Sequence, residues 1–346
     1  MTRYTVAVAG FGRMASSYAR DASIKRWFRY ASHAEVLREH PRFDWIGVAD
    51  PDERARASAH DDYGIGDVAS DASGLAMAAR VDVAVLATPP VERLRLLDAF
   101  PNLRAVIVEK PLATTLVDAV AFVRACRTRG ILVQVNVPRR ADATIRALAA
   151  GGVSERIGRV QTANVVYGNG LYNHGPHMVD LVRLLVGEIA AVRTDPDPRT
   201  HRLDGAIPGD RNMPFVARTD DAIAVGFAPV HFGFYREVEI DLWGERGRLA
   251  YRHGGLSVLQ YARVPGKAPA GSFEIDDVPA ERIAPTIGDA LYAIYDNLAG
   301  ALDGTASLLS SGDEALRTAA VIDAVHRSAA EGGREVAVGD PTRTES

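Results

Sequence analysis

One junction near the amino terminus constrains this chain more than any other feature. Tyr4-Thr5-Val6-Ala7-Val8-Ala9 is a short apolar, β-branched run that leads at once into Gly10-Phe11-Gly12-Arg13-Met14-Ala15. The run reads as a strand, the glycines as a tight turn, and the residues behind them as the start of a helix. Gly10-x-Gly12-x-x-Ala15 is the dinucleotide fingerprint with alanine in its third place. Gly10 allows the turn, Gly12 lets backbone approach a pyrophosphate, and the helix N-terminus behind them favours negative charge. Gly10, Phe11, Gly12, Arg13 and Met14 are the expected cofactor-binding segment.

The next stretches keep the rhythm that such a junction requires. Residues 44–50, 81–87, 105–108 and 131–135 read as further buried strands, with helices opening at Pro51-Asp52-Glu53, after Pro90 and over 114–128. Continuous apolar strands alternating with helices imply a parallel sheet covered on both faces, a doubly wound Rossmann domain over residues 1–137. Residues 21–40, rich in aromatic and basic side chains, read as an added helix between the first helix and the second strand. Beyond residue 137 the pattern changes. Helices are expected over 140–150, 177–186, 287–302 and 312–330, with strands over 159–167, 222–227, 236–243, 248–251 and 256–261. That order implies an α+β domain over 138–346, with an open, mostly antiparallel sheet and helices on one side. Residues 195–214 read as a long loop and those after 339 as a frayed tail.

Composition excludes several classes of function. A length of 346 residues suits two domains, and a net charge of −4 supplies no global field for nucleic acid or anionic membrane. A single cysteine, Cys126, excludes an intramolecular disulfide framework. No apolar run is long enough to cross a bilayer, and the N-terminus reads as folded strand rather than signal peptide, so a cytoplasmic location is expected. No cluster has metal-ligand spacing, and no metal is expected.

Asp50 ends the second strand, where an acidic residue would bind the adenine-ribose hydroxyls and repel a 2′-phosphate. NAD is expected, with NADP as the alternative because Arg54 and Arg56 lie close by. Only three of the 40 basic residues are lysines, namely Lys25, Lys110 and Lys267, so a retained lysine is a candidate for work that arginine does not do. Lys110 stands in Glu109-Lys110-Pro111, directly after the strand 105–108. In Tyr172-Asn173-His174-Gly175-Pro176-His177, Pro176 suits the first turn of a helix and places His177 at its N-terminus, where the helix dipole favours neutral imidazole. Asp180, three residues on, shares that helix face.

These segments together resemble the Gfo/Idh/MocA family of sugar and cyclitol oxidoreductases. The resemblance rests on the fingerprint, Ala87-Thr88-Pro89-Pro90, Glu109-Lys110-Pro111, Asn136-x-x-Arg139, the Gly175–Asp180 segment and the Gly244-x-x-Gly247 turn. It implies hydride transfer between NAD and a hydroxyl or ketone carbon of a sugar, cyclitol or nucleotide-linked sugar, with Lys110 as general acid/base and His177 assisting. It also implies cofactor contacts from Ala87, Thr88, Pro89, Glu109 and Lys110, and substrate contacts from Asn136, Arg139, Tyr167, Asn173, His174 and His177. Arg140, Arg211 and Asn212 are weaker candidates. Relatives pair as dimers or tetramers, so a homo-oligomer is implied. Asn173 stands where the family frequently has aspartate, and it cannot accept a proton; the proton work falls to Lys110 and His177. Two alternatives stay open: an enzyme that uses NAD without net redox change, like the glycosidases similar to this family, and a silent NAD-binding regulator.

Overall fold

The computed structural model describes residues 2–197, 199, 207, 209–266 and 271–342. They form two compact units, one of Met1–Asp142 with Gly288–Leu316, the other of Ala143–Ile287 with Arg317–Ser346.

In the first unit, β1 (Tyr4–Ala9), β2 (Phe43–Ala49), β3 (Asp67–Ala69), β4 (Val83–Leu86), β5 (Ala105–Val108) and β6 (Leu132–Val135) make one sheet in the order β3-β2-β1-β4-β5-β6. Every pairing is parallel. The reversal of order between β1 and β4 is the switch point at which such sheets take ligands. Alternate residues feed two cores. Val6, Val8, Val83 and Val85 face one side, and Ala7, Ala9, Ala84 and Leu86 face the other.

The first of these cores is closed by a segment from far along the chain. Leu291, Ile294, Tyr295, Leu298 and Ala299 of the helix Ala290–Leu302 pack among the same valines. Residues 288–316, assigned by sequence to the second domain, thus belong to the compact first unit. Periodicity identifies an amphipathic helix but not the sheet that buries it.

The inserted segment also sits elsewhere than the sequence suggests. Ser16 donates its backbone N–H to Gly12 O at 2.9 Å, a first helical bond, and then the helix stops. The chain makes a 3₁₀ turn at Ser17–Arg20 and a short helix at Ala22–Lys25 before Ser32 caps the helix His33–Glu39 with a full capping box to Glu35. The N–H groups of His33 and Ala34 donate to Met14 O and Ala15 O at 3.1 and 2.9 Å. The helix His33–Glu39 therefore resumes the hydrogen bonding of the fingerprint turn, and the insertion splits the first helix instead of following it.

In the second unit the strands are β7 (Val160–Tyr167), β8 (Ile189–Thr194), β9 (Phe215–Thr219), β10 (Ala224–Pro229), β11 (Glu239–Gly244), β12 (Gly247–Arg252), β13 (Ser257–Pro265), β14 (Phe273–Ile275), β15 (Glu281–Ile283) and β16 (Val336–Ala337). They form one sheet in the order β14-β13-β12-β11-β7-β10-β9-β8-β16, with β15 on β13. Its pairings are antiparallel except β7 with β10. Ile240 and Leu242 point into a core shared with Met178, Val179, Val182, Val321 and Val325 of two helices, while Glu239 and Asp241 on the opposite face pair with Arg252. One face is helix-covered and the other carries charge, as the alternation implied. Of the loop read over 195–214, residues 198, 200–206 and 208 lie outside the described residues, as do 343–346 of the tail.

Candidate active site

The parallel sheet carries one more row of hydrogen bonds beyond its strand ends. Gly10 N–H donates to Ala49 O at 2.8 Å, Asp50 to Ala69 O at 3.0 Å, Ala87 to Ala9 O at 2.9 Å, Glu109 to Leu86 O at 3.1 Å and Asn136 to Val108 O at 2.7 Å. Gly10, Asp50, Ala87, Glu109 and Asn136 consequently stand side by side along the carboxyl edge. Five short sequence signals, dispersed over 127 positions from Gly10 to Asn136, become one edge through register alone.

Gly10 has φ +85°, and a Cβ there would lie 2.8 Å from the carbonyl carbon and oxygen of Ala87. Only glycine fits that left-handed, crowded position. At Gly12 the place a Cβ would occupy has no neighbouring atom within 4 Å, which leaves open space above the turn. Thr88 Oγ1 and Asn136 Oδ1 are buried polar atoms that meet no hydrogen-bond partner among the described residues. A glycine turn facing open space, with orphaned polar atoms on the neighbouring loops, fits a bound dinucleotide.

Two predicted cofactor residues have internal duties. The Phe11 ring packs with Trp45 and Tyr63, at 5.7 Å from each, so its side chain is core and only its backbone faces the turn. Asp50 accepts Phe11 N–H at 2.5 Å and Asp52 N–H at 2.8 Å, so its carboxylate ties the fingerprint turn to the end of β2. Arg56 donates to the carbonyls of Asp50 and Pro51 at 2.9 Å. Arg13 is exposed and Met14 half-buried.

Lys110 precedes Pro111 across a cis bond. The carbonyls on either side of this loop are held by a residue that carries no sequence signal. Arg93 is buried and donates to Thr88 O at 3.2 and 2.9 Å, to Pro111 O at 2.5 Å and to Leu112 O at 3.2 Å. It clamps the Ala87–Pro89 loop to the loop that carries Lys110. Burial lowers its pKa from 12.5 to about 10, against the opposing pull of Glu109.

Glu109 anchors the other side. Its Oε1 accepts from His33 Nε2 at 2.9 Å and from Asn136 Nδ2 at 2.5 Å. Burial pushes the carboxyl up, but the bonds from His33 and Asn136 and the charge of Lys110 together hold it below its ordinary value. A carboxylate only accepts, which assigns the Nε2 proton of His33. His33 Nδ1 meets Tyr295 Oη at 2.7 Å. Burial raises the Tyr295 phenol well above its usual range, so it stays protonated beside the imidazole.

The second unit holds the remaining candidates around the start of the helix Gly175–Leu185. His174 is its N-cap and Pro176 lies in its first turn, which puts His177 at the N-terminal end. The His174 ring stands edge-on to His177 at 5.8 Å and to Phe232 at 5.4 Å. Asp180 is buried, accepts from Thr318 Oγ1 at 3.2 Å and lies 3.6 Å from Arg183. The turn before the helix is held by Asp210, another residue without a sequence signal. Asp210 accepts Tyr172 N–H at 3.0 and 3.1 Å and Asn173 N–H at 3.1 Å. Burial raises its carboxyl above the ordinary value in spite of these donors. Asn212 accepts Gly170 N–H at 2.8 Å, which makes it a brace for the same turn.

Tyr167 departs from the sequence expectation. It is fully buried, its hydroxyl donating to Met213 O at 2.6 Å and accepting Met213 N–H at 2.9 Å, so it is a strut inside the unit rather than a substrate contact. Arg139 and Arg140 are buried, and Arg140 pairs with Glu314 at 2.9 Å. Among the described residues no helix is long and apolar enough to cross a membrane.

Residues 4–137 match the NAD-binding Rossmann fold of the GFO_IDH_MocA oxidoreductase family, and residues 167–338 match that family's C-terminal alpha/beta domain. The chain is 24% identical over 325 residues to D-apiose dehydrogenase of Rhizobium rhizogenes strain K84, covering 84% of this chain and 89% of that protein. Its fold is shared with the WlbA dehydrogenase of Bordetella pertussis, solved with NADH and UDP-GlcNAcA (TM-score 0.71, 22% identity, 97% of this chain and 99% of that one). It is shared equally with a super-repressor mutant of Gal80p from Saccharomyces cerevisiae (TM-score 0.75, 13% identity, all of both chains).

Proposed function

The chain belongs to the Gfo/Idh/MocA family of NAD-binding oxidoreductases, and on that premise we propose that it oxidises or reduces one hydroxyl/ketone carbon of a sugar, cyclitol or nucleotide-linked sugar. The observation that carries this reading is the sheet edge itself: Glu109 and Asn136 share one hydrogen-bonded row with the glycine turn, and Lys110 follows directly. Bound NAD supplies the hydride acceptor. The backbone of Gly10–Met14 and the loops at Ala87–Pro89 and Glu109–Lys110 would hold it, with Asp50 fixing the turn.

Lys110 Nζ takes the hydroxyl proton in the oxidative direction and returns it in reduction. This requires neutral lysine in the reactive complex, a state that arginine does not reach near neutrality. His177, at a helix N-terminus that favours neutral imidazole, hydrogen-bonds the reacting hydroxyl. Asn173 and His174 beside it, with Asn136 and Arg139, orient the other hydroxyls. The chain works as a homodimer or homotetramer, which sedimentation measures directly.

The test is a screen of sugars, cyclitols and nucleotide sugars, followed by NADH absorbance, with Lys110→Met and Lys110→Arg as controls. Both variants should bind NAD as the native chain does and nearly abolish hydride transfer. Near-native NAD reduction by Lys110→Arg would remove the general-base role. Substrate consumption without net NADH would favour the NAD-using, non-redox alternative.

A further inference from the structure

The pair His33–Glu109 links two segments that nothing in the proposed chemistry requires to touch. His33 opens the helix that resumes the hydrogen bonding of the fingerprint turn, and Glu109 is the residue before Lys110. His33 is wholly buried, its two ring nitrogens engaged by Tyr295 and Glu109. Tyr295 in turn is buried on the returning helix Ala290–Leu302. A phenol and an imidazole shut off from water, joined to a largely buried carboxylate, form a hydrogen-bonded chain whose bonds are strengthened by the low local dielectric. A buried carboxylate is costly unless its charge is used. Here the charges facing it include Lys110 and Arg93, while His33 and Asn136 bond to it directly and Tyr295 stands behind His33.

We infer that His33 and Tyr295 are positioning residues for the reaction: they lock the Glu109 carboxylate beside Lys110 and so set the pH at which that lysine gives up its proton. This rests on the assignment of Lys110 as acid/base, and it adds a reason for Glu109 to precede it. An ionised neighbour stabilises the lysine cation. Too mobile a carboxylate would leave the lysine's proton affinity undefined, and a protonated one would lower it. The fixed bond to His33 prevents both.

The imidazole allows the two ends of the chain to be tested separately. His33→Gln keeps an N–H donor at the reach of Nε2, where Glu109 lies. His33→Asn keeps an acceptor near Nδ1, toward Tyr295, and loses the donor to Glu109. If the histidine only fills space, the two replacements should behave alike. If it acts through Glu109, His33→Asn should move the rise of kcat with pH toward lower pH with NAD affinity within about twofold, and His33→Gln should keep a profile near the native one.

A second readout does not depend on turnover. With lysines at three positions in the chain, protein grown with ¹³Cε-lysine gives a spectrum that Lys110→Arg assigns by removing one signal. Titrating that signal reports Lys110 directly. Glu109→Gln should lower the Lys110 midpoint by about one pH unit, and His33→Asn should lower it in the same direction by less. His33→Gln should stay nearer the native value, and the Lys25 and Lys267 signals serve as internal references. A Lys110 midpoint unmoved by both Glu109→Gln and His33→Asn overturns the inference, as do coincident kcat–pH profiles for the two His33 variants. If the midpoint moves as expected while no alcohol is oxidised, the positioning stands and the proposed reaction fails instead.

Discussion

Replacing Arg93 by methionine should loosen the Lys110 loop and destabilise the first unit together. The guanidinium is almost fully buried, and lowering its pKa from 12.5 to about 10 costs about 3 kcal/mol at neutral pH, since one pKa unit is about 1.4 kcal/mol. Its charge is thus a burden that its hydrogen bonds and the pull of Glu109 offset. Those bonds reach three carbonyls, of Thr88, Pro111 and Leu112. Each carbonyl left unsatisfied costs about 1–3 kcal/mol, roughly 3–9 kcal/mol for the set. Removing the buried charge returns about 3 kcal/mol of that, so from the middle of the range Arg93→Met should lose roughly 3 kcal/mol. Arg93→Lys should lose less in packing but cannot span both loops from one ammonium. Denaturant unfolding measures the stability, and single-turnover NADH formation measures the rate, which should fall more than about tenfold because Pro111 adjoins Lys110. Unchanged stability would refute the carbonyl arithmetic. Lower stability with an unchanged single-turnover rate would refute the clamp's hold on Lys110.

Gly10→Ala forces a side chain into a left-handed backbone and against Ala87, so it should cost at least about 1–2 kcal/mol and weaken NAD binding more than it lowers the unfolding temperature; calorimetric titration separates the two. His177→Ala should lower turnover by roughly 10²–10⁴-fold with NAD affinity unchanged, and a variant that fails to fold would instead make the histidine structural. Glu109 has a folded pKa below the ordinary 4.5, so its contribution to stability is present above that value and lost as pH falls through the folded pKa. Glu109→Gln should flatten that acid limb in unfolding curves measured across pH, and an unchanged limb would assign the acid sensitivity to other carboxylates.

Where structure is local, the chain's own pattern was enough to read it. The alternation of apolar runs with helices established the parallel sheet, and the period of two in β11 and β12 established the half-charged second sheet. Strand ends follow from where apolar runs stop. Because all six strands of the first sheet are parallel, the loops after them had to gather at one edge, which brings Gly10, Asp50, Glu109 and Asn136 into line. Tertiary structure decided everything that depends on partners far apart in sequence. The helix Ala290–Leu302 is amphipathic in either unit, and only the valine face of the first sheet, which it buries, selects it. The break inside the fingerprint helix has no local mark, since His33 resumes the bonding of Met14 only in three dimensions. Arg93 is one arginine among 37, Asp210 one acid in a polar loop, and Tyr167 one tyrosine at a strand end. Their roles come from being buried against carbonyls or N–H groups that must be satisfied, and a sequence does not display which groups water will abandon.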